Sequence, residues 1–150
     1  MRRILVSACL IGACCRYDGA DNTNEAVCSL LERQDICLVP VCPEQLGGLT
    51  TPRTPYERLG GLVMSKAGED VTPAFARGAA QALKIAERFG CYAAILKERS
   101  PSCGSGQIYD GSFSGALTEG DGVTAQVLKR HGIRVYGESQ VTELLKKADG

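Results

Sequence analysis

The chain has no tryptophan, a single histidine and only 5% aromatic residues, and its seventeen basic residues are balanced by seventeen acidic ones. Such a balance supplies no long-range field to gather a phosphate backbone or anionic lipids, so no nucleic-acid polymer is expected as a partner. No segment approaches the ~18 consecutive apolar residues of a membrane span, and no membrane partner is expected. There is no C-x-x-C pair of the kind that marks zinc ribbons or thioredoxin-like redox sites. Gly47-Gly48 and Gly60-Gly61 lack the strand-to-helix setting of a phosphate-binding fingerprint, so nucleotide cofactors are not indicated. The lone His131 sits at a predicted helix end, where positive charge complements the helix dipole. A Ser/His or Cys/His nucleophilic pair is therefore unsupported.

Cysteine, by contrast, is plentiful. Eight in 150 residues exceed ordinary usage but fall below the roughly 8–10% that marks a disulfide scaffold. Free thiols or metal ligands are the better reading. At the N-terminus, Met-Arg-Arg followed by Ile4–Ile11 and Gly12-Ala13-Cys14 faintly imitates a lipoprotein export signal. The apolar stretch is short, is interrupted by Ser7 and Cys9, and makes a good first strand. The expectation is a soluble, cytoplasmic protein.

Alternating strands and helices predict an α/β, three-layer, Rossmann-like fold, with a mainly parallel sheet of about four strands plus small hairpins and residues 1–150 in one domain. The predicted strands are Arg3–Ala8, Ile36–Val41, Tyr92–Leu96 and Ile133–Tyr136. Between the first two, Asn22 or Thr23 caps a helix whose Ala26, Val27, Leu30 and Leu31 share a face. Residues 43 to 71 are too long and irregular for an ordinary connection. Within them, Leu62–Met64 and Asp70–Val71 suggest a hairpin. Thr72 caps a helix with Pro73 at its first position and Gly90 at its end. Asp110-Gly111 has the chemistry of a two-residue turn joining Gln107–Tyr109 to Ser112–Phe113. A helix from about Asp121 to Arg130 and a terminal helix capped by Ser139 complete the reading.

Three cysteines, Cys9, Cys42 and Cys103, each lie just beyond an apolar run that reads as a buried strand. In an open parallel sheet the loops after the strands' carboxyl ends form the ligand crevice, and adjacent strands are only ~4.8 Å apart. Thiolates distant in sequence are thereby expected at one soft-metal or iron–sulfur site. Cys28, Cys37 and Cys91 fit the role of small buried hydrophobes. Cys14 and Cys15 crowd the first loop, where either is a candidate fourth thiolate or redox partner.

The blocks Ser7-Ala8-Cys9-Leu10-Ile11-Gly12, Cys15-Arg16-Tyr17-Asp18-Gly19, Cys42-Pro43-Glu44, Gly47-Gly48-Leu49-Thr50-Thr51-Pro52-Arg53 and Leu96-Lys97-Glu98-Arg99-Ser100-Pro101-Ser102-Cys103-Gly104 resemble a small bacterial family that includes the thiouracil desulfidases. Gly68-Glu69-Asp70-Val71-Thr72 and Tyr109-Asp110-Gly111-Ser112-Phe113-Ser114-Gly115 extend the resemblance over most of the chain. It implies a four-iron, four-sulfur (4Fe-4S) cluster held by Cys9, Cys42 and Cys103 with one iron open. It also implies conversion of the thiocarbonyl of a small thiolated base to a carbonyl, with release of sulfide. Cys14 beside Cys15 has no place in the family pattern.

An open iron would take the soft thiocarbonyl sulfur and withdraw density from the adjacent carbon. Water then needs a base, and Glu44, two residues beyond Cys42, is the first candidate, with Asp18 and Glu98 as alternatives. Ser100 and Ser102 are candidates to hold a pyrimidine oxygen or a cluster sulfide. Arg16, Arg53 and Lys97 are candidates to orient the heterocycle, with Asp18 and Glu98 beside them. The competing class is a non-catalytic metal or persulfide carrier. The sequence leaves oligomeric state open, with a homo-oligomer among the allowed states.

Overall fold

The computed structural model describes residues 1–149. Its centre is a four-stranded parallel sheet of β1 (Arg2–Ser7), β2 (Ile36–Val41), β5 (Ala93–Leu96) and β8 (Arg134–Gly137), in the spatial order β2-β1-β5-β8. Side-chain alternation sends each strand into two cores. Leu5, Val39, Val41, Ala94 and Leu96 face α3 (Thr72–Phe89) and α4 (Val123–Arg130), whereas Ile4, Val6, Ala93 and Ile95 face α1 (Glu25–Cys28) and α5 (Val141–Asp149). The result is the expected three-layer α/β architecture.

Helix α3 buries a stripe of Ala74, Phe75, Gly78, Ala79, Ala82 and Ala86. Small residues along that stripe let it approach both the sheet and the single-turn helix α2 (Pro43–Leu46). The contact is backbone on backbone: a Cβ on Gly47 would stand 2.0 Å from the carbonyl oxygen of Ala74, and one on Gly78 would stand 1.9 Å from that of Pro43. No described helix is long and apolar enough to cross a membrane.

Both hairpins differ from the sequence expectation in their pairing. Strand β4 (Leu62–Ser65) pairs with β3 (Tyr56–Leu59), and the Leu59↔Leu62 register makes Gly60-Gly61 the two-residue connection. The glycine pair is thus turn chemistry, with Gly60 at φ 59°. The expected partner Asp70 meets Met64 only through an isolated bridge. Strand β6 (Gln107–Tyr109) pairs with β7 (Leu117–Glu119), not with residues 112–113. Asp110-Gly111 does not close a tight turn because the backbone N–H groups of Gly111 and Phe113 both donate to Glu57 of β3, at 2.9 and 3.1 Å.

Helix starts also moved. Asn24, not Asn22 or Thr23, caps α1, which lasts one turn before a 3-10 turn at Ser29–Glu32; Val27 and Leu30 are buried while Leu31 is 55% exposed. Val71 occupies the cap position of α3, and the Thr72 side chain instead accepts the N–H of Val63 at 2.9 Å. Ser139 lies in a 3-10 turn ahead of α5, with both its N–H and its hydroxyl donating to Glu98.

Candidate functional site

The carboxyl ends of β1, β2 and β5 open into a cavity of about 470 Å³. Cys9 reaches it from a 3-10 turn directly after β1, Cys42 from the cap position of α2 after β2, and Cys103 from the loop after β5. That loop is fixed by α4, whose first N–H groups, on Val123 and Thr124, donate to the carbonyls of Pro101 and Ser102 at 2.9 and 2.8 Å. Gly122 is required there, since a Cβ would stand 2.4 Å from the Ser102 carbonyl carbon. Ser100 completes the loop by accepting the N–H groups of Ser102 and Cys103 at 3.1 and 3.0 Å.

A fourth thiol, Cys15, lines the same cavity and is 5% exposed. It is in hydrogen-bonding contact with both Cys9 and Cys42, which lowers the pKa of each, to about 7 for Cys9 and about 6 for Cys42. Cys15 itself is driven far up by the same two contacts and remains a thiol. Cys103, almost fully buried on the cavity wall, is pushed up to about 12 by burial. Cys14 is exposed and stands outside the cavity lining.

Glu44 is held at both oxygens. Arg53 Nε donates to Oε1 at 2.9 Å and Ser102 Oγ donates to Oε2 at 3.2 Å. The Arg53 guanidinium also donates to the carbonyl of Cys15 at 2.8 Å, binding the loop after β1 to the loop after β2. Ser102 Oγ lies 3.0 Å from Ser100 Oγ and 3.5 Å from Cys103 Sγ. Lys97 Nζ pairs with Glu138 at 2.8 Å.

Of the sequence candidates, Cys9, Cys42, Cys103, Glu44, Ser100 and Ser102 all line the cavity, as do Arg16, Arg53, Lys97 and Glu98. Asp18 does not; its carboxylate accepts the N–H of Ala20 and pairs with Arg16 in a local turn. Glu98 is turned toward Ser139, which donates to its two oxygens at 2.8 and 3.1 Å. These bonds help hold its pKa below the usual carboxylate range against the opposing effect of burial, which is the largest influence. Of the two cysteines offered as a fourth thiolate, Cys15 lines the cavity and Cys14 does not, and sequence reasoning missed Ser7, Tyr17, Tyr56, Arg99 and Tyr109. Ser7 was findable: it is a polar residue at the carboxyl end of a buried strand, and its Oγ accepts the N–H of Lys97 at 2.9 Å and lies 3.4 Å from Cys103 Sγ.

Residues 4–140 match the model of the 2-thiouracil desulfurase family. The chain belongs to that family. It is 44% identical to the uncharacterized protein YbbK of Bacillus subtilis (strain 168), over 95% of this chain and 99% of that protein. A solved structure of the [4Fe-4S]-dependent thiouracil desulfidase TudS (DUF523Vcz) superimposes with a TM-score of 0.92 at 44% identity, covering 99% of each chain. The two chains therefore share the whole architecture, and the cavity lies where the three strand-end loops of that architecture meet.

The donor set suits an iron–sulfur cluster. Three thiol side chains arrive from three separate loops with no histidine among them, which favours soft metal chemistry. Among the described residues no three Cys, His, Asp or Glu side chains converge closely enough for a single ion. A cluster spreads its ligands over several irons and has no such requirement.

Proposed function

We propose that this protein is an iron–sulfur-cluster-dependent desulfidase that converts the thiocarbonyl of a small thiolated pyrimidine such as thiouracil to a carbonyl, releasing hydrogen sulfide. The observation that carries this reading is the placement of Cys9, Cys42 and Cys103 around one cavity with the Glu44–Ser102 pair on its wall, within a chain of the desulfurase family. Cys9, Cys42 and Cys103 would hold a 4Fe-4S cluster with one iron lacking a protein ligand. When bound, the cluster supplies a Lewis-acidic iron with affinity for the thiocarbonyl sulfur.

The chain's own groups handle water and protons. Glu44 Oε1 is committed to Arg53, which fixes the carboxylate's orientation, and Oε2 is directed toward Ser102 and the cavity. Oε2 is the atom placed to take a proton from an attacking water. The water oxygen becomes the carbonyl oxygen, its two protons leave with the sulfur as hydrogen sulfide, and no electrons are exchanged. Ser102, hydrogen-bonded to Glu44 and adjacent to Ser100, is placed to pass the proton toward the departing sulfur. Lys97 and Arg16 lie where they can orient a polar ring.

Eight free cysteines accord with a reducing compartment, and we place the protein in the cytoplasm. We read residues 1–150 as one domain, acting on a small molecule rather than a nucleic-acid polymer. The test is anaerobic reconstitution of wild type beside single Cys9, Cys42 and Cys103 alanine variants, with iron content and sulfide from 2-thiouracil measured together. An enzyme releases many equivalents, and each variant loses iron. A stop after about one equivalent would show a sulfur carrier instead.

A further inference from the structure

Four cationic side chains line the cavity, and three of them have carboxylate partners: Arg16 with Asp18 at 3.2 Å, Arg53 with Glu44 at 2.9 Å and Lys97 with Glu138 at 2.8 Å. Arg99 makes no ion pair among the described residues. It is exposed at the point where the chain leaves β5.

Its backbone is unusual as well. Arg99 has φ 69°, one of two non-glycine residues with positive φ among the described residues, and an isolated parallel bridge to Ile108 accompanies that geometry. Ile108 is followed in β6 by Tyr109, which lines the same cavity. Glycine enters the left-handed region at no steric cost and asparagine at little, whereas a long side chain there is strained. The turn alone would be better served by either. An arginine at such a position, without an ion pair and on the cavity wall, marks a demand on the side chain rather than on the fold.

A guanidinium has five donors and no acceptor. Among thiolated pyrimidines it can therefore recognise a ring edge that carries an acceptor. An exocyclic carbonyl satisfies it; an amino group presents donor against donor. We propose that Arg99 reads the exocyclic carbonyl oxygen of the substrate ring, making the site selective for thiolated uracil-type bases over thiolated cytosine-type bases. This assignment rests on the desulfidase reading above.

The experiment compares reconstituted wild type, Arg99→Met and Arg99→Gly on 2-thiouracil and 2-thiocytosine, alongside calorimetric binding of uracil and cytosine. Wild type should favour 2-thiouracil in kcat/KM by about 10⁴-fold or more, the scale on which sites built around a hydrogen bond reject analogues that cannot make it. Both variants should lose most of that preference through KM on 2-thiouracil, with kcat changed less and 2-thiocytosine scarcely affected. Arg99→Gly should melt at or above the wild-type temperature, because the strained backbone is relieved. An unchanged base preference in both variants overturns the proposal, as does a glycine variant that melts well below wild type. If wild type releases sulfide from neither base, the desulfidase reading fails separately. Binding still decides Arg99 in that case: a uracil preference that disappears in Arg99→Met upholds it, and equal wild-type binding of uracil and cytosine overturns it.

Discussion

Arg53 and Glu44 form an ion pair at 2.9 Å with side chains only 5% and 16% exposed. Arg53 extends the contact beyond its partner: Nη1 donates to the Thr50 carbonyl and Thr51 Oγ1, Nη2 to the Cys15 carbonyl, and its own N–H to the Tyr17 carbonyl. One side chain thus ties the loops after β1 and β2 together and leaves a single carboxylate oxygen for Ser102 and the cavity.

Removing either member of this pair should separate stability from chemistry. Arg53→Met leaves a nearly buried carboxylate without compensation, a change expected to cost about 3–5 kcal/mol in urea unfolding. Glu44→Gln should lower sulfide release by about 10²–10⁴-fold, the usual contribution of a positioned general base, while iron content stays near wild type. The double variant should recover part of the stability that Arg53→Met loses, since the stranded charge is gone. Full activity in Glu44→Gln would remove it from the proton path.

How far the sequence could be read depended on whether a signal was local. The strands, α3 and the strand-end positions of Cys9, Cys42 and Cys103 follow from apolar runs and turn residues within a short window. Strand pairing is not a local property: β7 was missed because its partner lies across a loop docked on Glu57, and Gly60-Gly61 was considered only as a phosphate loop. Arg99 and Tyr109 join the cavity through tertiary contacts that no spacing rule contains. Cys15, by contrast, was visible but had no assigned place until its contacts with Cys9 and Cys42 were known.

Those contacts make a pH prediction. In the cluster-free protein, Cys42 and Cys9 should alkylate with midpoints near 6 and 7, below the ordinary thiol value, because the single Cys15 S–H lies between them and is shared by the two sulfurs. Cys103 should resist modification at neutral pH, being buried and raised to about 12. Cys15→Val removes the donor, so both low midpoints should rise toward 9, as read by mass spectrometry of iodoacetamide adducts across pH. The sign for stability follows: lowered folded-state values stabilise the cluster-free fold fully above the unfolded thiol value, and that gain is lost as pH falls through about 7 and then about 6. Midpoints unmoved in Cys15→Val would show that another group sets them.

The close approach of α2 and α3 predicts an effect at a distance. Gly78→Ala places a Cβ against the Pro43 carbonyl, so the helices must separate at a cost of about 1–3 kcal/mol or more. Pro43 lies between Cys42 and Glu44, and the displacement falls on both. Reduced iron retention with a lowered Tm is expected, whereas Gly61→Ala, where a Cβ meets nothing within 4 Å, should leave iron binding unchanged. Equal iron retention in the two variants would refute the coupling.

Ser7 offers the sharpest separation between a structural and a site role, because its one hydroxyl serves both. It is 2% exposed, accepts the N–H of Lys97 and lies 3.4 Å from Cys103 Sγ, to which it can donate. Ser7→Ala leaves the Lys97 N–H without its acceptor at the buried end of β5, which should cost about 1–3 kcal/mol. It also deprives the Cys103 sulfur of a donor, leaving only Ser102, whose single hydroxyl proton is shared with Glu44. Hydrogen bonds to ligating sulfurs raise the reduction potential of iron–sulfur clusters, so reconstituted Ser7→Ala should show a lower potential than wild type. Ser7→Thr restores the hydroxyl and should recover the potential even where its extra methyl lowers stability. A potential identical in all three proteins, with stability alone affected, would confine Ser7 to holding the Lys97 backbone.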